Sequence, residues 1–144
     1  MIRNIRYKTK NIHRNPRESS WNVSSNLAAS FHYAFQGLVY GLITQRNLRI
    51  HIFLGAFAFC MGLFLDLRSS DFAVLAITIT LVLVLELLNT SIEAVVNLSV
   101  GRRFHPLAKV AKDCAAASVL IASIGSVLIA CLLLLPPLFS QMSF

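Results

Sequence analysis

The sequence has few charged residues. They make up 13% of its 144 positions, whereas soluble domains carry roughly a quarter. Acids are the scarcest, with six Asp and Glu against thirteen Lys and Arg. The P-loop pattern GxxxxGKS/T, the dinucleotide pattern GxGxxG and the zinc pattern HExxH are all missing, as is any CxxC spacing. These absences exclude the usual soluble nucleotide-binding, zinc-binding and disulfide-stapled domains.

Long apolar blocks are what the sequence has instead, and 56% of it is hydrophobic. Three blocks approach the roughly 20 residues that cross a bilayer as a helix. They cover residues 50–65, residues 72–88 with the helix continuing through 96, and residues 114–135, where Pro136 and Pro137 are expected to end the helix. The first block is short and can span if the interfacial helix continues into it and Arg49 snorkels to the interface. We predict an all-α membrane protein with three transmembrane helices.

The segment before these blocks divides into two parts. Residues 1–25 are basic and polar, and we interpret them as a cytoplasmic tail that precedes a single membrane domain, residues 26–144. Within residues 26–44, apolar side chains recur every three or four positions, which predicts an amphipathic helix lying in the membrane interface, with Asn26 as its N-cap. These apolar positions are Leu27, Phe31, Phe35, Leu38 and Leu42.

The basic residues indicate how the chain crosses the membrane. Residues 66–71 contain a single Arg, whereas residues 97–113 contain four Lys and Arg, and six more lie in the first seventeen positions. Loops rich in Lys and Arg stay in the cytoplasm. We therefore predict a multi-pass protein of the inner (plasma) membrane with a cytoplasmic N-terminus. This topology explains the net charge of +7 without a nucleic-acid partner.

Two carboxylates in the second block are the first candidates for chemistry. On a helix, Glu86, Asn89, Glu93 and Asn97 fall within a sector of about 80°, so Asn89 could hydrogen-bond to both acids. Acids inside a membrane are costly and usually functional. Glu86 lies deeper and could act as a general base for a lipid hydroxyl, while Glu93 lies nearer the cytoplasm and its ions. The alternative is a purely structural stripe that joins helices.

A second cluster lies at the start of the third block. Lys109, Lys112 and Asp113 are spaced i, i+3 and i+4, which places them on one side of a helix. Two lysines there could bind phosphate oxygens. Ordinary anchoring of a helix end by positive charge explains the same pattern.

These residues carry a resemblance to a known family. The run Glu86-Leu-Leu-Asn89-Thr-Ser-Ile-Glu93-Ala-Val-Val-Asn97, followed by His105-Pro-Leu-Ala-Lys-Val-Ala-Lys112-Asp113, resembles the signature of the small prokaryotic membrane diacylglycerol kinases, which include closely similar undecaprenol kinases. The resemblance covers roughly residues 27–135. It implies a homotrimer with shared sites that transfers the γ-phosphate of ATP, with Mg²⁺, to a lipid hydroxyl.

The resemblance also implies roles for individual residues. Glu86 corresponds to the family's general base and Glu93 to a metal-binding carboxylate. The positions that correspond to nucleotide-site residues are Tyr33, Asn89, Phe104, His105, Lys112 and Asp113.

Two positions depart from the family pattern. The family often has a second metal-binding Glu where this chain has Gln45, and often an acid where it has Asn97. An amide offers Mg²⁺ an oxygen but no charge, so weaker metal binding is expected. Three hypotheses follow: a kinase making phosphatidate from diacylglycerol, a kinase acting on undecaprenol, and a catalytically impaired or structural member of the family. The segment Arg46-Asn47-Leu48-Arg49-Ile50-His51, with His105-Pro106, slightly favours undecaprenol.

Overall fold

The computed structural model describes residues 27–101 and 103–142. The helices in this part of the chain are α1 (Leu27–Thr44), α2 (Arg46–Phe64), α3 (Ser69–Val100) and α4 (Pro106–Met142). No strand is present among the described residues, so the all-α prediction is confirmed there. The predicted basic tail, residues 1–25, and the predicted N-cap Asn26 lie outside the described residues.

Helices α2, α3 and α4 are long and apolar enough to cross a membrane, which confirms the three predicted spans. With a rise of 1.5 Å per residue, the 19 residues of α2 extend about 29 Å, close to the roughly 30 Å of a hydrocarbon core. The 32 residues of α3 and 37 of α4 are longer, so both helices extend beyond the core. The interfacial position of α1 stays a prediction.

Most of the polar segment at residues 97–113 is helical, including the positions of Lys109, Lys112 and Asp113, which were predicted to lie on a helix. Helix α3 continues to Val100 and α4 begins at Pro106, so the connection is only residues 101–105. Proline suits the first position of a helix because its missing N–H would have no partner there. The lysine cluster therefore lies on the first two turns of α4, which places it on a rigid element.

The predicted end of the third span at Pro136 and Pro137 is wrong, because α4 runs through both prolines to Met142. Each proline removes one backbone donor, and this leaves the carbonyls of Leu132 and Leu133 without their usual partners. Membrane helices tolerate such breaks more readily than soluble ones do. The apolar run on both sides of the prolines outweighs the local stop signal.

Helix α3 is the centre of the packing and contacts α4 most extensively, then α2. Small residues allow the close approach: a Cβ added at Gly55 of α2 would lie 2.7 Å from Ile79 of α3. One face of α3 is buried at Leu75, Val82, Glu86 and Thr90. The packing face of the central helix therefore includes one of the two candidate carboxylates.

Contacts divide the described chain after Gln36. Residues 27–36, the first part of α1, form one unit, in which His32 and Gln36 are hydrogen-bonded at 3.0 Å. Everything from Gly37 onwards, including the end of α1 and the three spans, belongs to the other unit. The carboxylates and the lysine cluster all lie in this second unit.

Candidate active site

The polar stripe of α3 changes from buried to exposed along its length. Glu86 is only 3% exposed, Asn89 and Glu93 are half-buried, and Asn97 is exposed. Glu86 is the one buried charged side chain in the described part of the chain. Burial within the packed chain thus differs between the two acids, while their depths in the membrane stay a prediction.

Among the described residues, Asn89 hydrogen-bonds to one of the two acids of the stripe and not to the other. Its Nδ2 donates to Oε1 of Glu93 at 3.4 Å, as predicted, but within the described residues it makes no hydrogen bond to Glu86. Its Oδ1 is buried and has no hydrogen-bond partner there. A buried amide oxygen without a donor is uncommon because the lost hydration is not replaced. The arrangement leaves a carbonyl oxygen beside the Glu93 carboxylate, and both atoms are suitable cation ligands.

Glu86 interacts with residues of α2 and α3. Thr90 Oγ1 donates to the backbone carbonyl of Glu86 at 3.0 Å, and His51 of α2 lies close enough to interact electrostatically with the carboxylate. His51 also lines a cavity of about 170 Å³ among α2, α3 and α4, together with Val82 and with Ser123 of α4. A mainly apolar cavity with a histidine on its wall is therefore lined by Val82, one helical turn from the buried acid.

An open cleft of about 360 Å³ lies where α3 meets α4. It brings together four of the residues predicted to contact nucleotide, Phe104, His105, Lys112 and Asp113, with Asn97 at the end of the stripe. The α3–α4 connection forms one edge of the cleft, and the first turns of α4 form its wall. Residues from two separate sequence motifs thus line a single cleft.

Positive charge dominates this cleft. Arg103, Lys109 and Lys112 line it beside a single acid, Asp113. Lys109 Nζ lies 2.7 Å from Asp113 Oδ2, and Lys112 Nζ donates to Asn97 Oδ1 at 2.7 Å. The second bond joins the ends of α3 and α4 across the connection. A concave surface with a surplus of cations suits a polyphosphate.

Gln45 lies at the junction of α1 and α2, where it is the single residue between the two helices. Its backbone is extended, with φ −100° and ψ 112°. A Cβ added at Gly41, one turn earlier, would lie 2.8 Å from Leu87 of α3. The junction therefore packs against α3 next to Glu86. No hydrogen bond of the Gln45 side chain occurs among the described residues, and its role as a metal ligand stays a prediction.

Tyr33 lies in the first unit of the chain, is 64% exposed, and packs near His32 with ring centroids 6.0 Å apart. Its predicted contact with nucleotide stays a prediction. Among the described residues, no three His, Cys, Asp or Glu side chains come together as a metal site. A divalent cation would therefore need oxygen ligands from beyond these side chains.

Sequence reasoning missed two contacts. The Lys112–Asn97 bond joins residues fifteen positions apart, and no local pattern signals it. The second contact is made by Arg49, whose Nη1 donates to the carbonyls of Leu42 and Ile43 at 2.9 and 3.1 Å. The signal that could have revealed this contact is a basic residue five positions after the end of an apolar helix, within reach of that helix's last carbonyls.

A buried carboxylate on a membrane-spanning helix that ends at a cationic cleft provides the parts of a phosphotransferase that acts at a membrane. Comparison with protein families matches residues 32–134 to the family described as "Prokaryotic diacylglycerol kinase". A diacylglycerol kinase of Synechocystis sp. is 51% identical over 126 residues, 88% of this chain and 72% of that protein.

Two further relatives agree. An undecaprenol kinase of Bacillus subtilis is 35% identical over 81% of this chain and 94% of its own length. A diacylglycerol kinase of Escherichia coli (strain K12) is 34% identical over 71% of this chain and 83% of its own. The chain belongs to the prokaryotic diacylglycerol kinase family. Membership implies a lipid substrate in the membrane and ATP as the phosphate donor, and it confirms the resemblance found in the sequence.

Proposed function

We propose that this chain phosphorylates diacylglycerol, transferring the γ-phosphate of ATP to its free hydroxyl to give phosphatidate and ADP. The observation that carries the proposal is the placement of Glu86, buried in the packing face of α3, on the helix that ends at the cationic cleft. The 51% identity to a protein named diacylglycerol kinase supports this substrate.

Phosphoryl transfer requires positioning of the reactants, neutralisation of phosphate charge and a base. The Glu86 carboxylate accepts the proton of the lipid hydroxyl while the hydroxyl oxygen bonds to the γ-phosphorus. At the same time, the bond between the γ-phosphorus and the oxygen shared with the β-phosphate breaks. Lys112, with Arg103 nearby in the cleft, binds phosphate oxygens. Asp113, Phe104, His105 and Asn89 contact the nucleotide, as the family resemblance implies. The same resemblance is the basis for a nucleotide contact of Tyr33.

The oxygen ligands that this chain offers fit a Mg²⁺ site in part. Glu93 offers a carboxylate and Asn89 a buried oxygen without a partner, while Gln45 adds an amide oxygen if it faces the same site. Mg²⁺ is commonly held by one or two carboxylates together with substrate phosphates and water, which agrees with a chain that gathers few acids. When bound, the ion would neutralise phosphate charge.

The orientation we propose is a cytoplasmic N-terminus in the inner membrane. It is supported by the two span connections: residues 65–68 carry one Arg, whereas residues 101–105 carry two, with Lys109 and Lys112 just beyond them. This orientation puts the cleft on the side where ATP is available. The homotrimer with shared sites belongs to the proposal through family resemblance, and chemical cross-linking in native-like bilayers would test it.

A second substrate has a specific observation in its favour. The relative named undecaprenol kinase is matched over 94% of its length, so undecaprenol is the alternative acceptor. The third hypothesis, an impaired family member, rests on Gln45 and Asn97.

The deciding experiment offers purified protein both lipids in mixed micelles with Mg²⁺ and γ-labelled ATP, and measures kcat/KM for each. We expect phosphatidate to form with the higher kcat/KM. A higher kcat/KM for undecaprenol would make undecaprenol the substrate in place of diacylglycerol. The absence of labelled product from either lipid would overturn the kinase proposal.

A further inference from the structure

We propose that Arg49 is a positioning residue whose guanidinium fixes the α1–α2 junction and, through it, the place of Gln45. The observation behind it is that one nitrogen of Arg49 is bonded to two carbonyls at the end of the preceding helix. The functional part of this inference rests on the proposed kinase activity, whereas its structural part does not.

The last carbonyls of α1 need partners because the helix ends at Thr44. The final four carbonyls of any α-helix have no intrahelical donor. Gln45 N–H donates to the Gly41 carbonyl at 2.8 Å. The next two carbonyls, of Leu42 and Ile43, accept from Arg49 Nη1 at 2.9 and 3.1 Å. Within the described residues, one side chain of α2 therefore caps the helix before it.

A cation is the appropriate group for this position. The end of a helix carries partial negative charge, which a guanidinium stabilises, and hydrogen bonds from a charged donor are stronger than those from a neutral one. Next to the hydrocarbon core, water is a less available substitute. Arg49 thus stabilises a break between helices that would otherwise leave two carbonyls without donors.

The capped break also lies against the catalytic helix. Gly41 approaches Leu87 and Leu48 so closely that a Cβ would lie 2.8 and 3.0 Å from their methyl groups. Leu48 itself is 1% exposed. Gly41, one turn before Gln45, is therefore held close to Leu87, the residue that follows Glu86 on α3, and Arg49 closes the junction. Loosening the cap should release Gln45 while leaving the spans intact.

The structural test is hydrogen exchange in nanodiscs without metal or nucleotide, which compares Arg49→Met with Arg46→Met. Both changes remove one positive charge from the first turn of α2, but no hydrogen bond of the Arg46 side chain occurs among the described residues. The loss of two charge-assisted bonds should speed exchange of the Gln45 amide about tenfold, and Arg46→Met should leave it unchanged. Equal exchange in wild type and Arg49→Met would overturn the proposal.

The functional test is a double-mutant cycle with Gln45→Ala, in which the Mg²⁺ concentration for half-maximal rate is measured. If Arg49 acts through Gln45, each single change should raise that concentration severalfold and the double variant should be no worse than the worse single. If the effects of the two single changes on this Mg²⁺ concentration multiplied in the double variant, Arg49 would not act through Gln45. Arg49→Lys, which keeps the charge, should restore part of the exchange protection and of the Mg²⁺ response, and no rescue in either would count against the cap.

The hydrogen-exchange test and the functional test have independent outcomes. A wild-type protein without kinase activity would overturn the proposed function, while the exchange measurement would still decide whether Arg49 holds the junction.

Discussion

The two connections between spans differ in their charge. The α2–α3 connection, residues 65–68, contains Arg68, which pairs with Asp71 in the first turn of α3 through Nε–Oδ2 at 3.0 Å and Nη2–Oδ1 at 3.3 Å. The α3–α4 connection, residues 101–105, opens onto the cationic cleft and the end of the polar stripe. Both connections join two membrane helices, but only the second has a surplus of positive charge, since Asp66 and Asp71 outnumber Arg68 at the first.

The comparison shows what turns a connection into a site. Asp71 neutralises Arg68 locally, whereas the cleft has three cations and one acid, Asp113. In addition, α3 carries Glu86 and Glu93 in the half nearer the cleft, whereas the acid in its other half, Asp71, is paired with Arg68. A surplus of cations and a buried acid on the adjoining helix are the two features that we propose make the site, and each can be removed separately.

The largest effect is expected from Glu86→Gln, which keeps the shape of the side chain and removes its ability to accept a proton. General bases contribute about 100-fold or more to rate, so kcat should fall by at least that factor in the lipid kinase assay. Asp66→Asn, which removes one acid from the other connection, is the matched control and should retain wild-type kcat. Full activity in Glu86→Gln would mean that Glu86 is not the base.

Removal of the cleft's charge should have the next largest effect. Lys112→Met should raise the KM for ATP about tenfold or more, because a charged contact to phosphate is lost. Arg68→Met removes a cation from the other connection and should leave that KM unchanged. Asn97→Ala only frees the Lys112 ammonium and should change the KM by less than about threefold. If Lys112→Met and Arg68→Met behaved alike, the difference between the connections would have no functional meaning.

The smallest effect is expected at Gln45. Gln45→Glu adds the charge that the family often has at this position, and should lower the Mg²⁺ concentration for half-maximal rate about threefold. Asn47→Asp introduces the same charge two residues later and serves as the control for a general electrostatic effect. An unchanged Mg²⁺ requirement in Gln45→Glu would remove Gln45 from the site.

Much of the architecture could be predicted from local patterns. Block length gave the three spans, and helical spacing gave the order of the stripe from Glu86 to Asn97, because both depend only on residues a few positions apart. The ends of elements were less predictable. The prolines at 136 and 137 did not end α4, since the membrane environment outweighs their local preference.

Composition and spacing alone indicate a three-span membrane protein in which Glu86 and Glu93 share one helical face, and the motifs alone carry the resemblance to a kinase family. Three further features depend on how the chain packs: Lys112 meets Asn97, Arg49 caps the preceding helix, and Glu86 is buried while Glu93 is half-buried. The physical reason is that periodicity fixes neighbours within a helix, whereas the register between helices depends on how their side chains interlock.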